Sequence, residues 1–471
     1  MRICILAEGS YPYISGGVSS WVHSLIRAMP EHEFIIYAIG AEASKKGQYR
    51  YELPDNVIEV REAFLDDYKS EAATWGKKFR LGDKGSEHFL QILRNDLQID
   101  WASFFDTMET IKKKSSTEFL MSLNFYDMIQ ELALTQYSQV PFTELFWTVR
   151  SMLLPMLQLL RDDMPEADLY HSVSTGYAGL MGAYAKYQHH KPFLLTEHGI
   201  YSREREEEII KADWVKGYFK DLWIQYFYSL SGCAYQLTDE VITLFHRNKE
   251  IEVELGCEED KIKIIPNGVN VTFFEDIAPP TEEDRQFINI GAFIRVVPIK
   301  DIKTMLHSFQ VVQREVPNAR FYVMGPYEED LQYYDECLQL AKSLDLQNVI
   351  FTGQIPIKAY MGRMDILTLT SISEGQPLAL LEGMAAGKPF VTTDVGSCKE
   401  LIYGKDDPYG PAGMVAPVMH YEQIGQALIE LCRNPELRTQ YGLNGLNRVK
   451  SNYTMDSFIS QYKALYQQLG G

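Results

Sequence analysis

The sequence has no apolar run long enough to cross a membrane as a helix. Its most apolar interior stretch, Phe146 to Leu160, is broken by Arg150 and Pro155 and closed by Arg161. That is short of the roughly 18–20 residues a span requires. The opening MRICILAEGSYPY reaches Glu8 too soon to form the apolar region of a signal peptide. Cysteine is scarce: six residues, Cys4, Cys233, Cys257, Cys337, Cys398 and Cys432, lie far apart with no CxxC pair. This excludes a zinc-ribbon spacing and a secreted disulfide framework, and it fits a reducing compartment. Positive charge is outnumbered, 45 Lys+Arg against 64 Asp+Glu, for a net charge of -19. No basic face stands out, so a nucleic-acid partner is not expected. HExxH, GxSxG, a P-loop and an acidic metal pair beside a nucleotide loop are all missing, and no metal is expected. The expectation is a soluble cytoplasmic protein, peripheral at the inner membrane only through partners.

What is there is an ordinary globular balance, 46% hydrophobic and 23% charged over 471 residues. That length suits two to four domains. Arg2–Ala7 reads as a buried strand. Gly16-Gly17 follows, then apolar positions Val18, Trp21, Val22, Leu25, Ile26 and Met29 at helical spacing, then a strand at Glu33–Ile39. Strand, glycine loop, helix, strand predicts a doubly wound parallel sheet. Residues from about 65 to 165 break that rhythm with an aromatic-rich helical insertion. The rhythm returns at Ala167–Ser172, Phe193–Leu195, Val241–Phe245 and Ile262–Ile265. A polar stretch at about 275–286 reads as a linker. A second βα series then runs through Phe287–Ile290, Arg320–Met324, Asn348–Phe351, Asp365–Thr370 and Phe390–Thr392. The reading is an α/β chain of two Rossmann-like domains facing across a cleft. They divide as 1–275, with about 455–471 returning to it, and 276–454.

Four segments can carry chemistry. In SISEGQPLALLEGMAAGKPFVTTDVG, residues 371–396, a strand ends before Glu374. Pro377 suits the first helical position, Ala379–Ala386 continues the helix, and Gly387-Lys388-Pro389 stops it. The helix start aims unpaired N–H groups past the strand end, a geometry that binds anions. Glu374 and Glu382 suit sugar hydroxyls, since one carboxylate can hold a vicinal diol; a lone exposed Glu more often pairs locally. Arg295 and Lys300, on the loop after a strand, suit a diphosphate or are two solvated cations. Gly16-Gly17 admits close backbone approach, or is a plain turn. In TEHG, His198 can hydrogen-bond a sugar hydroxyl or shuttle a proton, or is a satisfied loop histidine. His171 reads as structural.

Together these segments resemble the family 4 retaining glycosyltransferases of GT-B fold. SISEGQPLALLEGMAAGKPFVTTDVG matches their E-x7-E segment. The order glycine loop, TEHG, PNGV, Arg/Lys loop and Glu pair follows the family along the whole chain. MRICILAEGSYPYISGGVSSW, TEHGIYSRERE and the long insertion resemble the PelF-type branch of exopolysaccharide synthesis. The resemblance implies a UDP-sugar donor, UDP-glucose first, a saccharide acceptor, no metal, and a membrane-bound polysaccharide synthase as partner. By position, Arg295 and Lys300 match the diphosphate pair and Glu382 the residue on the ribose hydroxyls. Glu374 and His198 match residues at the transferred sugar. Gly16 and Gly17 match the backbone near the phosphates, and Gln376, Pro377 and Leu378 the turn that faces the donor. Many relatives carry Phe-Gly where this chain has Gln376-Pro377, and Pro377 has no N–H to offer. A UDP-sugar epimerase, a phosphorylase and a non-catalytic nucleotide-sugar-binding subunit are the competing readings.

Overall fold

The computed structural model describes residues 1–67, 83–94, 96, 99–112, 116–405 and 407–471. Two parallel sheets organise it. The first contains β1 (Arg2–Glu8), β2 (Glu33–Gly40), β3 (Val57–Phe64), β4 (Leu169–Ser172), β5 (Phe193–Glu197), β6 (Glu240–Thr243) and β7 (Ile262–Ile264). Their order is β3-β2-β1-β4-β5-β6-β7. The second contains β8 (Ile288–Phe293), β9 (Ala319–Met324), β10 (Val349–Gly353), β11 (Ile366–Leu369), β12 (Phe390–Thr393) and β13 (Gly413–Ala416). Their order is β10-β9-β8-β11-β12-β13. Among the described residues every strand pairing is parallel, and the central strands are buried over most of their length, which is why they read as mainly apolar runs. In each sheet the order reverses beside the first strand, between β1 and β4 and between β8 and β11. Ligands of open α/β sheets bind outside the strand ends at such a point.

The chain divides into two units, Met1–Thr243 with Asn248–Ile264 and Lys463–Gly471, and Leu244–Arg247 with Ile265–Tyr462. The boundary falls before the PNGV segment, not at 275. The reason is local. Asn267 N–H donates to Gln376 Oε1 (2.6 Å), and Val269 N–H to the Tyr453 carbonyl (2.8 Å). A side chain at Gly268 would lie 2.6 Å from the Thr454 carbonyl oxygen. These bonds also keep the start of the last helix, Met455–Gly470, in the second unit, so the return to the first begins at Lys463 rather than 455. The stretch expected as a linker is anchored too. Asp284 is buried and bonded by Arg363 (2.9 Å twice) and Arg320 (3.3 Å). Burial alone would raise its pKa, but the Arg363 and Thr281 hydrogen bonds hold it down at about 2.

The insertion contributes helices Asp83–Arg94, Trp101–Lys112, Ser116–Leu120, Leu123–Thr135 and Phe142–Leu159. The parts of that expectation on 68–82, 95, 97–98 and 113–115 lie outside the described residues. Phe89, Phe104, Phe119, Phe125 and Val149 join one hydrophobic cluster with Cys4, Leu6 and Tyr37 of the first sheet. The insertion therefore shares that sheet's core and is not a separate domain. Edge strand β3 and the final strand β13 went unread in the sequence. β3 is half exposed and carries Glu59, Arg61 and Glu62 among its apolar positions. Among the described residues, no helix is long and apolar enough to cross a membrane.

Arg448 is the largest fully buried side chain among the described residues. Its guanidinium meets Asp407 (2.6 and 3.0 Å) and the carbonyls of Leu401 (2.9 Å), Ile402 (2.9 Å) and Gly410 (2.7 Å). Arg448→Met removes the cation that compensates the buried Asp407 carboxylate, which keeps only the Tyr409 N–H (3.1 Å), so it should cost about 3–5 kcal/mol. Urea unfolding of the variant checks this; an unchanged midpoint would mean the network adds nothing.

Candidate functional site

In the second unit the loops after β8, β11 and β12 are laced together. Ile372 N–H donates to the Ile299 carbonyl (2.9 Å). Thr370 Oγ1 donates to the carbonyls of Lys300 (3.2 Å) and Asp301 (3.0 Å). Thr393 Oγ1 donates to the Ser371 carbonyl (2.7 Å), and Ser397 N–H to Gly375 (3.0 Å). Gly396 has a φ of +51°, and a Cβ there would meet the Glu374 and Gly375 carbonyl oxygens at 2.2 Å, so only glycine fits this close approach.

The lacing fixes two side chains where the strand order reverses. Lys300 Nζ pairs with Glu374 Oε1, which also accepts from Ser371 Oγ (2.6 Å). Both partners are largely buried, with 18% and 11% of their side chains exposed. Arg295 takes a different partner. Its guanidinium meets Glu329 at 2.6 Å on an exposed pair. The structure thus brings Lys300 and Glu374 together, and gives Arg295 no partner in common with them.

The helix after Glu374 runs Leu378–Ala385, with Pro377 as its N-cap rather than its first residue, and no side chain caps it. A capping side chain would compete with an incoming anion for these N–H groups. Glu382, in the second turn, has no hydrogen-bond or ion-pair partner among the described residues, and burial pushes its carboxyl above the usual range. An unpaired, mostly buried carboxylate is costly to hold and suits a diol donor. The Gln376 side chain is committed elsewhere: it accepts from Asn267 and donates to the Leu244 carbonyl (3.3 Å). Its glutamine side chain therefore serves internal bonding, and it is the backbone N–H of Gln376 that the sequence reading offers to the donor.

The equivalent place in the first unit is filled from within. Glu8, the last residue of β1, accepts from the Tyr177 N–H (2.9 Å) and Ala178 N–H (3.4 Å) at the start of helix Gly176–His189, and from Tyr201 Oη (2.8 Å). The protein's own carboxylate occupies the helix end that a phosphate would otherwise take. Sequence reasoning missed Glu8; a lone acid at a strand end before a glycine-rich loop was the available signal. Gly16 is extended, Gly17 opens helix Gly17–Arg27, and no atom lies within 4 Å of a Cβ built on either. Packing does not demand glycine there.

His198 lies edge-on to Trp21, ring centroids 4.6 Å apart at 80°. Its Nε2 is buried without a hydrogen-bond partner, and burial pushes the ring down to about 4. It is neutral at physiological pH, so it can exchange a hydrogen bond but carries no charge. His171 is structural as expected, bonded to Tyr466 Oη (2.7 Å) and Thr196 Oγ1 (2.8 Å). Among the described residues no cluster of His, Cys, Asp and Glu is arranged to hold a metal ion.

Two parallel Rossmann-like sheets, of seven and six strands, are the architecture of the GT-B fold of glycosyltransferases. The chain belongs to the family described as Domain of unknown function (DUF3492), which matches residues 1–260, and it carries a Glycosyl transferases group 1 domain over residues 284–434. It is 24% identical over 239 residues to N-acetyl-alpha-D-glucosaminyl L-malate synthase of Bacillus anthracis, covering 50% of this chain and 58% of that protein. The chain thus spans less than two thirds of that relative's length. It is 24% identical to a UDP-Gal:alpha-D-GlcNAc-diphosphoundecaprenol alpha-1,3-galactosyltransferase of Escherichia coli, over 67% of this chain and 78% of that one. Among solved structures, Anabaena HepE in complex with UDP superposes with a TM-score of 0.63 at 14% identity, covering all of both chains.

Behind His198, Glu197 and Glu252 are fully buried. Glu197 accepts from Tyr235 Oη (2.5 Å), the Tyr201 N–H (3.1 Å) and Thr175 Oγ1 (3.3 Å). Burial first, then the neighbouring Glu197 charge, pushes Glu252 up to about 8, and burial raises Glu197 too. A carboxyl with a raised folded pKa stabilises the fold below its unfolded pKa, and that stability is lost as pH rises through the folded value. Glu252→Gln removes the charging step. The variant should melt above the unsubstituted protein at about pH 9 and lose the advantage near pH 5. A variant less stable at both pH values would contradict a protonated Glu252.

Proposed function

We propose that this chain is a retaining, metal-independent glycosyltransferase. It moves a hexose from a UDP-sugar, UDP-glucose first, to a growing saccharide of the Pel-like exopolysaccharide class. The observation that carries the reading is the Lys300–Glu374 pair held by strand-end loops where β8 and β11 reverse the sheet order, with unpartnered Glu382 in the helix that follows. The likeness to the Escherichia coli galactosyltransferase and to Anabaena HepE, solved with UDP-glucose, supports a UDP-sugar donor.

In this reading Lys300 and Arg295 exchange their carboxylate partners for the donor's diphosphate. As the C1–O bond to UDP lengthens, negative charge grows on the leaving phosphate. The two cations and the uncapped N–H groups from Leu378 stabilise it in place of a metal. The acceptor hydroxyl forms the new bond to C1, and its proton leaves with the phosphate. Glu382 holds the ribose diol. Glu374, released from Lys300, orients the transferred sugar. Neutral His198 bonds one of that sugar's hydroxyls, and Gly16 and Gly17 leave room for phosphate at their backbone. A membrane-bound polysaccharide synthase is the proposed partner.

Arg295 gives the cleaner test. Its ion pair is exposed, so Arg295→Ala should cost the fold about 0–1 kcal/mol. Lost stabilisation of the leaving group should lower turnover by roughly 10²–10³. The assay follows UDP release from UDP-glucose with and without saccharide acceptor, before and after chelation with EDTA. A well-folded Arg295→Ala with near-normal release, or release abolished by EDTA, would overturn the assignment.

A further inference from the structure

Three of the six tryptophans line a single cavity of about 350 Å³ in the first unit, among residues to which the proposed reaction assigns no role. That volume falls in the range of ligand sites, roughly 300–1,000 Å³. One wall is helix Phe142–Leu159. Its Leu145, Val149 and Met152 are buried in the core, so Glu144, Trp147, Thr148 and Ser151 line the cavity at spacings of three and four. The other wall is the turn before helix Lys220–Leu237. There Trp214 stands edge-on to Trp223 (5.3 Å, 83°), which stacks on Phe227 (6.1 Å, 26°). The rings are held yet open to solvent: Trp147 is 51% and Trp214 71% exposed. Two exposed indoles on one concavity mark a binding surface rather than a stray apolar residue.

The charge of the cavity narrows the ligand. Its single carboxylate, Glu144, pairs with its single ammonium, Lys216, at 2.9 Å, and also accepts from Tyr218 Oη. Among the described lining residues no charge is left over to hold an anionic headgroup or a phosphate; the nearby Arg150 guanidinium lies over the Trp147 ring, 5.4 Å from its centroid, and covers one face of it. What remains is the other face of Trp147 and the faces of Trp214 and Trp223, flanked by the hydroxyls of Thr148 and Ser151. A pyranose fits both: its C–H faces meet the negative π-faces, and its hydroxyls exchange hydrogen bonds with the rim. We propose that this cavity binds a neutral oligosaccharide, an internal stretch of the acceptor chain. Naming the ligand as acceptor rests on the proposed function. Helix Tyr201–Lys211 begins beside the His198 loop and ends just before Trp214; its 11 residues span about 16 Å. A chain held at the cavity would keep its growing end at high local concentration.

The test is titration of the full chain, without donor, with cellohexaose, maltohexaose and chitohexaose while indole emission is read. At least one should change the emission below about 1 mM, and Trp147→Ala and Trp214→Ala should each weaken that binding about tenfold or more. Trp214→Phe should retain part of it, which separates lost stacking from lost folding; circular dichroism and Tm confirm that each variant is folded. No response to any of the three sugars, or binding that survives both alanine variants, overturns the proposal. So does tryptophan-dependent binding to neutral lipid vesicles, or self-association through this face, in place of sugar. The readout needs no catalysis, so binding without turnover would count against the proposed reaction alone, and turnover without binding against this cavity alone.

Discussion

The Lys300–Glu374 pair is the contact on which the second unit's site depends. Two charges that are four-fifths or more buried lose hydration and are tolerable only when each is compensated. Thr370, Ser371, Thr393 and Gly396 provide the frame: they hold the loops after β8, β11 and β12 so that the ammonium and carboxylate meet. The same requirement makes the pair exchangeable. A diphosphate offers the ammonium a stronger anion, and a sugar's hydroxyls offer the carboxylate neutral donors. In the proposed reaction, preorganisation and ligand exchange are both carried by this one contact.

The two sheets share a strand order and treat their reversal points differently. In the first, Glu8 fills the helix end with the protein's own carboxylate. In the second, Pro377 leaves the helix end without a capping side chain, and Glu382 stays unpaired in the next turn. An anionic ligand is repelled where a carboxylate already sits and attracted where cations and free N–H groups remain. Under the proposed function, this difference in charge supports placing the diphosphate at the second unit's reversal point.

Much of this was legible in the sequence, because buried parallel strands leave long apolar runs and glycine and proline mark their ends. Glu374 and Lys300 could be placed at strand ends from Asp365–Thr370 and Phe287–Ile290 alone. Other features depend on contacts far apart in the chain. Gln376 spends its amide on Asn267 and Leu244, 109 and 132 residues away. Asp284 looked like linker because nothing in its neighbourhood announces Arg320 or Arg363. Strand β3 hid because an edge strand tolerates charge on its open side. The partner choice of Arg295 was equally illegible: a cation on a loop reads the same whether it faces Glu329 or a phosphate.

The most direct measurement is isothermal titration of UDP, UMP and uridine into protein freed of divalent ions by EDTA. If Lys300 and Arg295 bind the diphosphate, UDP binds with the chelator present, and affinity falls steeply when the β-phosphate is removed. Equal affinity for UDP and UMP, or UDP binding that appears only when a divalent ion is restored, would contradict the account.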